Sequence, residues 1–239
     1  LQIGIHGIPV DLPAEVYEQL NVGALDGYNR YNLDDRRAYN YRRVYLGPLR
    51  ALDYLVQHPK WNGRQLVTQG GSQGGQLSIM ASALDPRVSL PTASYPASCA
   101  APAYLHERAG GWPGLFRRDG EGRMQDRPVG SKAATSAYYD TVNFARRLRS
   151  PVLYYAGYND TVTPPTSTFA VYNVIPSART LVVEPEQVHL TSQAHRDTID
   201  RWLIAHAAGK RCRPCRESIK SLITSRPMED RLPALRLYG

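Results

Sequence analysis

The sequence runs to 239 residues with a formal charge of +8, and 42% of its residues are hydrophobic and 21% charged. That composition excludes wholesale disorder, three cysteines exclude a disulfide-built scaffold, and no run of about 18 apolar residues writes a transmembrane helix. The charge sits mainly in residues 209–239, where eight basic and three acidic side chains carry +5 of the total, so the remaining body lacks the basic stripe of a nucleic-acid binder.

In chain order, Leu1–Ile5 reads as a buried strand. A protein rarely opens inside its core, so the expectation is that part of the same fold lies upstream of Leu1. No charged and apolar leader pattern is visible at this end. Residues 6–33, with Pro9, Pro13, Gly23 and Gly27, read as a long irregular stretch. Tyr41, Val44, Tyr45, Leu49, Leu52, Leu55 and Val56 recur at helical spacing and predict a helix over Tyr39–Val56. Gly47-Pro48 is expected to kink or restart it, because proline lacks the N–H that an interior turn uses.

Leu66–Thr68 is a short apolar strand, Gly74–Ala83 a helix closed by Asp85-Pro86, and Val88–Ser94 a second strand. Residues 96–140 are rich in Pro, Gly and Arg and predict an excursion with helices but no sheet strand. Pro151–Ala156 is a strongly apolar strand, Thr166–Val174 a helix and Arg179–Val183 another strand. Gln193–His206 is a closing amphipathic helix expected to bury Ile199, Trp202, Leu203 and Ile204 on one face. Strands alternating with helices predict an α/β fold with a mainly parallel sheet. Residues 1–208 form its expected domain, and residues 209–239 an expected disordered basic tail.

The chemistry concentrates in Gly70-Gly71-Ser72-Gln73-Gly74-Gly75. Gly70, Ser72 and Gly74 make G-x-S-x-G, a sharp strand-to-helix turn that raises a strained serine above the sheet. Its glycines are expected where a side chain would strike the neighbouring strand or helix. The next backbone N–H, that of Gln73, is then placed to donate to an oxyanion. Without a base, the same glycines would make an ordinary βα turn able to cradle phosphate. A serine nucleophile needs a base and an orienting acid, in the chain order Ser, Asp or Glu, His. Asp160, just past the strand Pro151–Ala156, supplies the acid, unless it merely caps the following turn. His189, in the loop after Arg179–Val183, is the favoured base. His195, inside the closing helix, is the competing one, where a surface or half-buried histidine is the ordinary expectation. No histidine pair has helical metal spacing, so neither a metal nor a cofactor is expected. Cys212-Arg213-Pro214-Cys215 is a lone pair, short of the four ligands of a zinc site, and Cys99 has no evident partner.

These residues resemble the acetyl xylan esterases and cephalosporin-C deacetylases, carbohydrate esterase family 7 of the α/β-hydrolase superfamily. The likeness rests on His6-Gly7-Ile8-Pro9-Val10-Asp11-Leu12-Pro13, on Tyr41-Arg42-Arg43-Val44-Tyr45 with Arg50-Ala51-Leu52-Asp53, and on the elbow around Ser72. It also rests on Asp160 followed by Pro164-Pro165, Thr168, Ala170, Tyr172 and Asn173. It implies an α/β-hydrolase domain lacking its first strands and the loop that gives the second oxyanion donor. It further implies Ser72 as nucleophile, Asp160 as acid, His189 as base, and an acetylated carbohydrate such as xylan as substrate. Neither a nucleic acid nor a membrane is an expected partner. A homo-oligomer is expected of the full-length protein, and export of a polymer-degrading enzyme is favoured. A prolyl-oligopeptidase-like peptidase, whose elbow is similar, and a non-catalytic carbohydrate-binding remnant are the alternatives.

Overall fold

The computed structural model describes residues 1–210. The expected tail, with Cys212 and Cys215, lies almost wholly outside the described residues. Four parallel strands, β1 (Val67–Gly71), β2 (Leu90–Ser94), β3 (Val152–Gly157) and β4 (Arg179–Glu184), lie side by side in chain order. Parallel neighbours need crossover connections. Helix α3 (Gln73–Leu84) links β1 to β2, and α6 (Pro165–Val174) links β3 to β4. Between β2 and β3 runs the 96–140 excursion. It holds a 3₁₀ helix, Ala101–His106, and α4 (Lys132–Tyr138), and it leads into α5 (Thr141–Ala145). As expected, it adds no strand to the sheet.

The central strand β3 shows why the sheet needs two covered faces. All six of its residues are buried, and a strand turns successive side chains to opposite sides. Val152, Tyr154 and Ala156 join the larger core with residues of α2 (Asn40–Gln57), α3, α5 and α6. Leu153 and Tyr155 point the other way, onto Ile199, Trp202 and Leu203 of α7 (Gln193–Ala207) and onto Val182. Each fully buried side chain of this size contributes ~1.5–3 kcal/mol. Ile204, expected on the same face, is 69% exposed. It lies five residues past Ile199, a spacing that turns it well away from the buried face at 3.6 residues per turn.

Helix α2 spans Asn40–Gln57 without interruption, with Pro48 inside it, so the expected restart does not occur. Pro48 falls on the buried stripe of Tyr41, Val44, Tyr45 and Leu52, where its ring packs even though its missing N–H leaves one turn unbonded. Two stretches of residues 1–33 depart from expectation. Leu1–Ile5 is not a strand: Leu1 is 73% and Ile3 40% exposed. The chain turns back at Gly7, whose φ of +70° and bond from its N–H to the Gly4 carbonyl (3.1 Å) close a tight turn. Residues Ala14–Val22 form α1, bounded by Pro13 and Gly23. Two of the residues that suggested irregularity, Pro13 and Gly23, sit at the helix ends, where proline and glycine favour a start and a stop.

Candidate active site

The serine elbow is built by backbone sterics. Ser72 takes φ +53° and ψ −120° between β1 and α3, a conformation that costs a non-glycine residue on the order of 1–3 kcal/mol. Its N–H donates to the Ser94 carbonyl (2.9 Å), and its own carbonyl accepts from Gln76 and Ala97 N–H (both 3.0 Å). A side chain at Gly70 would come within 2.3 Å of the Gly74 backbone, and one at Gly75 within 2.8 Å of the Ser94 carbonyl oxygen. Gly74 faces open space. The expected clash therefore holds at Gly70 and at the extra glycine, Gly75, and not at the last position of the motif.

His189, in the loop after β4, brings the three expected side chains together. Its Nε2 lies 2.8 Å from Ser72 Oγ and its Nδ1 lies 2.8 Å from Asp160 Oδ2. Asp160, three residues past the end of β3, is buried and accepts four bonds, two on each oxygen. Val162 N–H (2.9 Å) and Thr163 N–H (2.8 Å) reach Oδ1, and the Thr163 hydroxyl (2.8 Å) and His189 reach Oδ2. Burial alone would raise the carboxyl pKa, but the bonds from His189 and Thr163 outweigh it and hold it below the ordinary value. An ionised Asp160 can only accept, which places the histidine proton on Nδ1 and leaves Nε2 as the acceptor facing the serine hydroxyl.

Gln73 opens α3, where the first N–H groups have no partner within the helix. Its side chain is clamped: Oε1 accepts from Tyr28 Oη (2.9 Å) and Nε2 donates to Tyr41 Oη (3.1 Å). One turn on, Gln76 donates to Tyr45 Oη (2.6 Å), so two amides of α3 pair with two tyrosines of α2. His195, the competing base, does not reach the serine. It is buried in α7, stacked on Tyr155 with ring centres 3.4 Å apart, and its Nε2 lies 2.8 Å from Ser94 Oγ. Burial first, and then the adjacent Arg196 charge, push its pKa down to about 4. It is a neutral core histidine, buried more deeply than the surface or half-buried residue expected. Tyr95 stands between the two histidines, with ring centres 4.8 Å from His189 and 6.1 Å from His195.

Thr163 and the Gln73 side chain are functional neighbours that sequence reasoning missed. Thr163 stands three residues after Asp160 in Asp-Thr-Val-Thr, the spacing of a turn whose side chain bonds its own backbone, and that signal was there to be read. The tyrosines around Gln73 gave none, since they come from distant segments. Among the described residues, no group of three or more His, Cys, Asp or Glu side chains is placed to hold a metal ion.

A parallel sheet that presents, at successive strand ends, a serine on a strand-to-helix elbow, an acid and a histidine has the architecture of an α/β hydrolase. Within that class the chain belongs to the acetyl xylan esterase family (AXE1), whose model matches residues 15–206. An acetyl esterase of Xylanibacter ruminicola, Axe7A, is 39% identical over 206 residues, covering 85% of this chain and 45% of its own. The acetyl xylan esterase of a Paenibacillus species superposes with a TM-score of 0.65 at 26% identity, over 75% of this chain and 57% of that one. Acetyl xylan esterase 1 of a Thermoanaerobacterium species, at 24% identity and a TM-score of 0.63, shares the fold over 74% of this chain and 57% of its own. The chain thus spans about half the length of the relatives it matches.

Proposed function

We propose that the protein is a serine esterase that removes acetyl groups from carbohydrate esters. The observation that carries this reading is the unbroken hydrogen-bond chain from Ser72 Oγ through His189 to Asp160, with both links at 2.8 Å. Family membership supports the substrate class. As Ser72 Oγ attacks the acetyl carbonyl carbon, its proton passes to His189 Nε2. Asp160 holds the imidazole ring and offsets the positive charge it gains. The Gln73 N–H donates to the oxyanion of the tetrahedral intermediate. That intermediate collapses to acetyl-Ser72 as His189 returns the proton to the departing sugar oxygen. A water activated by the same histidine then releases acetate and restores the serine.

A polymeric substrate supports a site of action outside the cytoplasm, and no helix among the described residues is long and apolar enough to cross a membrane. The test is acetate release from p-nitrophenyl acetate and from acetylated xylan, alongside labelling of Ser72 by a fluorophosphonate. Labelling and acetate release are expected together. Cleavage of proline-containing peptides in place of acetyl esters would overturn the substrate class.

A further inference from the structure

Between the 3₁₀ turn at Arg30 and the excursion linking β2 to β3 lies a pocket of about 660 Å³ that the esterase chemistry does not use. Its volume lies within the ~300–1,000 Å³ of small-molecule sites. Four arginines line it, Arg30, Arg117, Arg118 and Arg123, together with Asp119 and the apolar Pro113 and Met124. Two of the cations are neutralised. Arg30 Nε bonds buried Asp126 at 2.7 Å, and Arg123 pairs with Asp119 (3.0 Å) and Glu121 (2.8 Å). Arg117 and Arg118 have no carboxylate partner among the described residues.

The wall that carries them is tied. Asp119 N–H bonds the Arg123 carbonyl (2.9 Å), Gly122 N–H the Asp119 carbonyl (3.0 Å), and Arg118 Nη1 the Gly122 carbonyl (2.8 Å). Asp119 Oδ1 accepts from Glu121 N–H (3.0 Å) and Arg123 N–H (2.9 Å). The pocket also shares its frame with the serine. Arg30 ends the 3₁₀ helix that begins at Tyr28, and Tyr28 Oη bonds Gln73, the residue after Ser72. Pro113 follows Trp112, whose ring lies 6.3 Å from that of Tyr28.

A neutral sugar needs no cations around it, whereas a planar carboxylate matches a guanidinium fork with two parallel bonds. Pro113 and Met124 offer apolar surface to the C–H face of a pyranose ring. We propose that this pocket binds the carboxylate of a uronate residue on the same saccharide that carries the acetyl ester. The inference rests on the esterase reading for its catalytic consequence, and its binding can be measured without that reading.

The test has two arms. In the first, the full chain is titrated with sodium glucuronate and with glucose by calorimetry. Glucuronate is expected to bind, with an affinity that falls as salt rises, and glucose is not. In the second, kcat/KM for acetate release is compared between an acetylated xylo-oligosaccharide bearing a glucuronate branch and the same oligosaccharide without it. Wild type is expected to prefer the branched substrate. The double variant Arg117→Gln/Arg118→Gln is expected to lower that preference by roughly three- to tenfold, the size of partly exposed charge-assisted bonds. The readout is a ratio within one preparation, so a loss of folded protein cancels. Glucuronate binding without release of acetate from p-nitrophenyl acetate would defeat the esterase reading and uphold the pocket. Release of acetate with neither glucuronate binding nor a preference for the branched substrate would overturn the pocket.

Discussion

At the scale of single residues, the three side chains proposed as the triad, Ser72, His189 and Asp160, meet at 2.8 Å links, and their positions were legible because each follows a backbone signal: an elbow motif or the end of an apolar strand. The Ser72→Ala variant should lose at least about a thousandfold in turnover of p-nitrophenyl acetate while keeping its melting temperature, since that is the usual effect of removing a triad member. His189→Ala should be as damaging. His195→Ala should separate the two properties. With the imidazole gone from between Tyr155 and Ser94, stability should fall by roughly 2–4 kcal/mol, as for other large-to-small core changes, and turnover per folded molecule should stay within severalfold. Comparable loss of turnover in His195→Ala would mean that the base has been misassigned. Thr163→Val removes one of the four bonds to Asp160 and leaves the backbone donors in place. It should lower kcat by about three- to tenfold, the worth of one hydrogen bond to a charged group, with little change in KM. The environment of Gln73 was not legible, because Tyr28 and Tyr41 approach it only through tertiary packing.

At the scale of elements, the strands and the helices between them follow from apolar runs and periodicity, whereas proline and glycine mark breaks less faithfully. Pro48 is tolerated because the stripe of α2 buries it, and Pro13 and Gly23 bound α1 rather than preventing it. The elbow offers a sharp comparison among its glycines. A Cβ at Gly70 would press into the Gly74 backbone, which cannot yield, so Gly70→Ala should abolish soluble folded protein or activity. A Cβ at Gly74 meets nothing within 4 Å, and alanine is the better helix former by up to ~1 kcal/mol. Gly74→Ala should therefore fold with an unchanged or slightly raised melting temperature by thermal denaturation. The reverse order of damage would show that the elbow is held by something other than this backbone contact.

At the scale of the whole molecule, buried titratable groups set how stability responds to acid. His195 is pushed down to about 4 in the fold from an ordinary 6.5. Between those values the unfolded chain binds a proton that the folded chain refuses, so this group lowers stability as pH falls from 6.5 towards 4. Asp140 acts with the opposite sign. Burial, against bonds from Val142, Ala101 and Ala100 N–H, raises its pKa to about 6, so the folded chain takes the proton first and gains stability below that pH. Asp160 is held low, and its contribution is lost only as pH falls through its depressed value. The His195 share is isolated by difference: the gap in melting temperature between wild type and His195→Gln should shrink as pH drops from 7 to 4. A gap that stays constant would mean His195 is not held neutral. The α/β class was legible because each strand carries its own apolar run. The exposed start of the chain was not, because five apolar-leaning residues look alike whether or not a neighbouring strand is there to pair with them. The simple order of the sheet has a kinetic side. Ser72 and His189 stand 117 positions apart, and they meet only when β1 and β4 are held in the one sheet. Such non-local contacts close late and slowly. In a refolding experiment, helical signal should return first and ester hydrolysis last, so that turnover times the completion of the sheet.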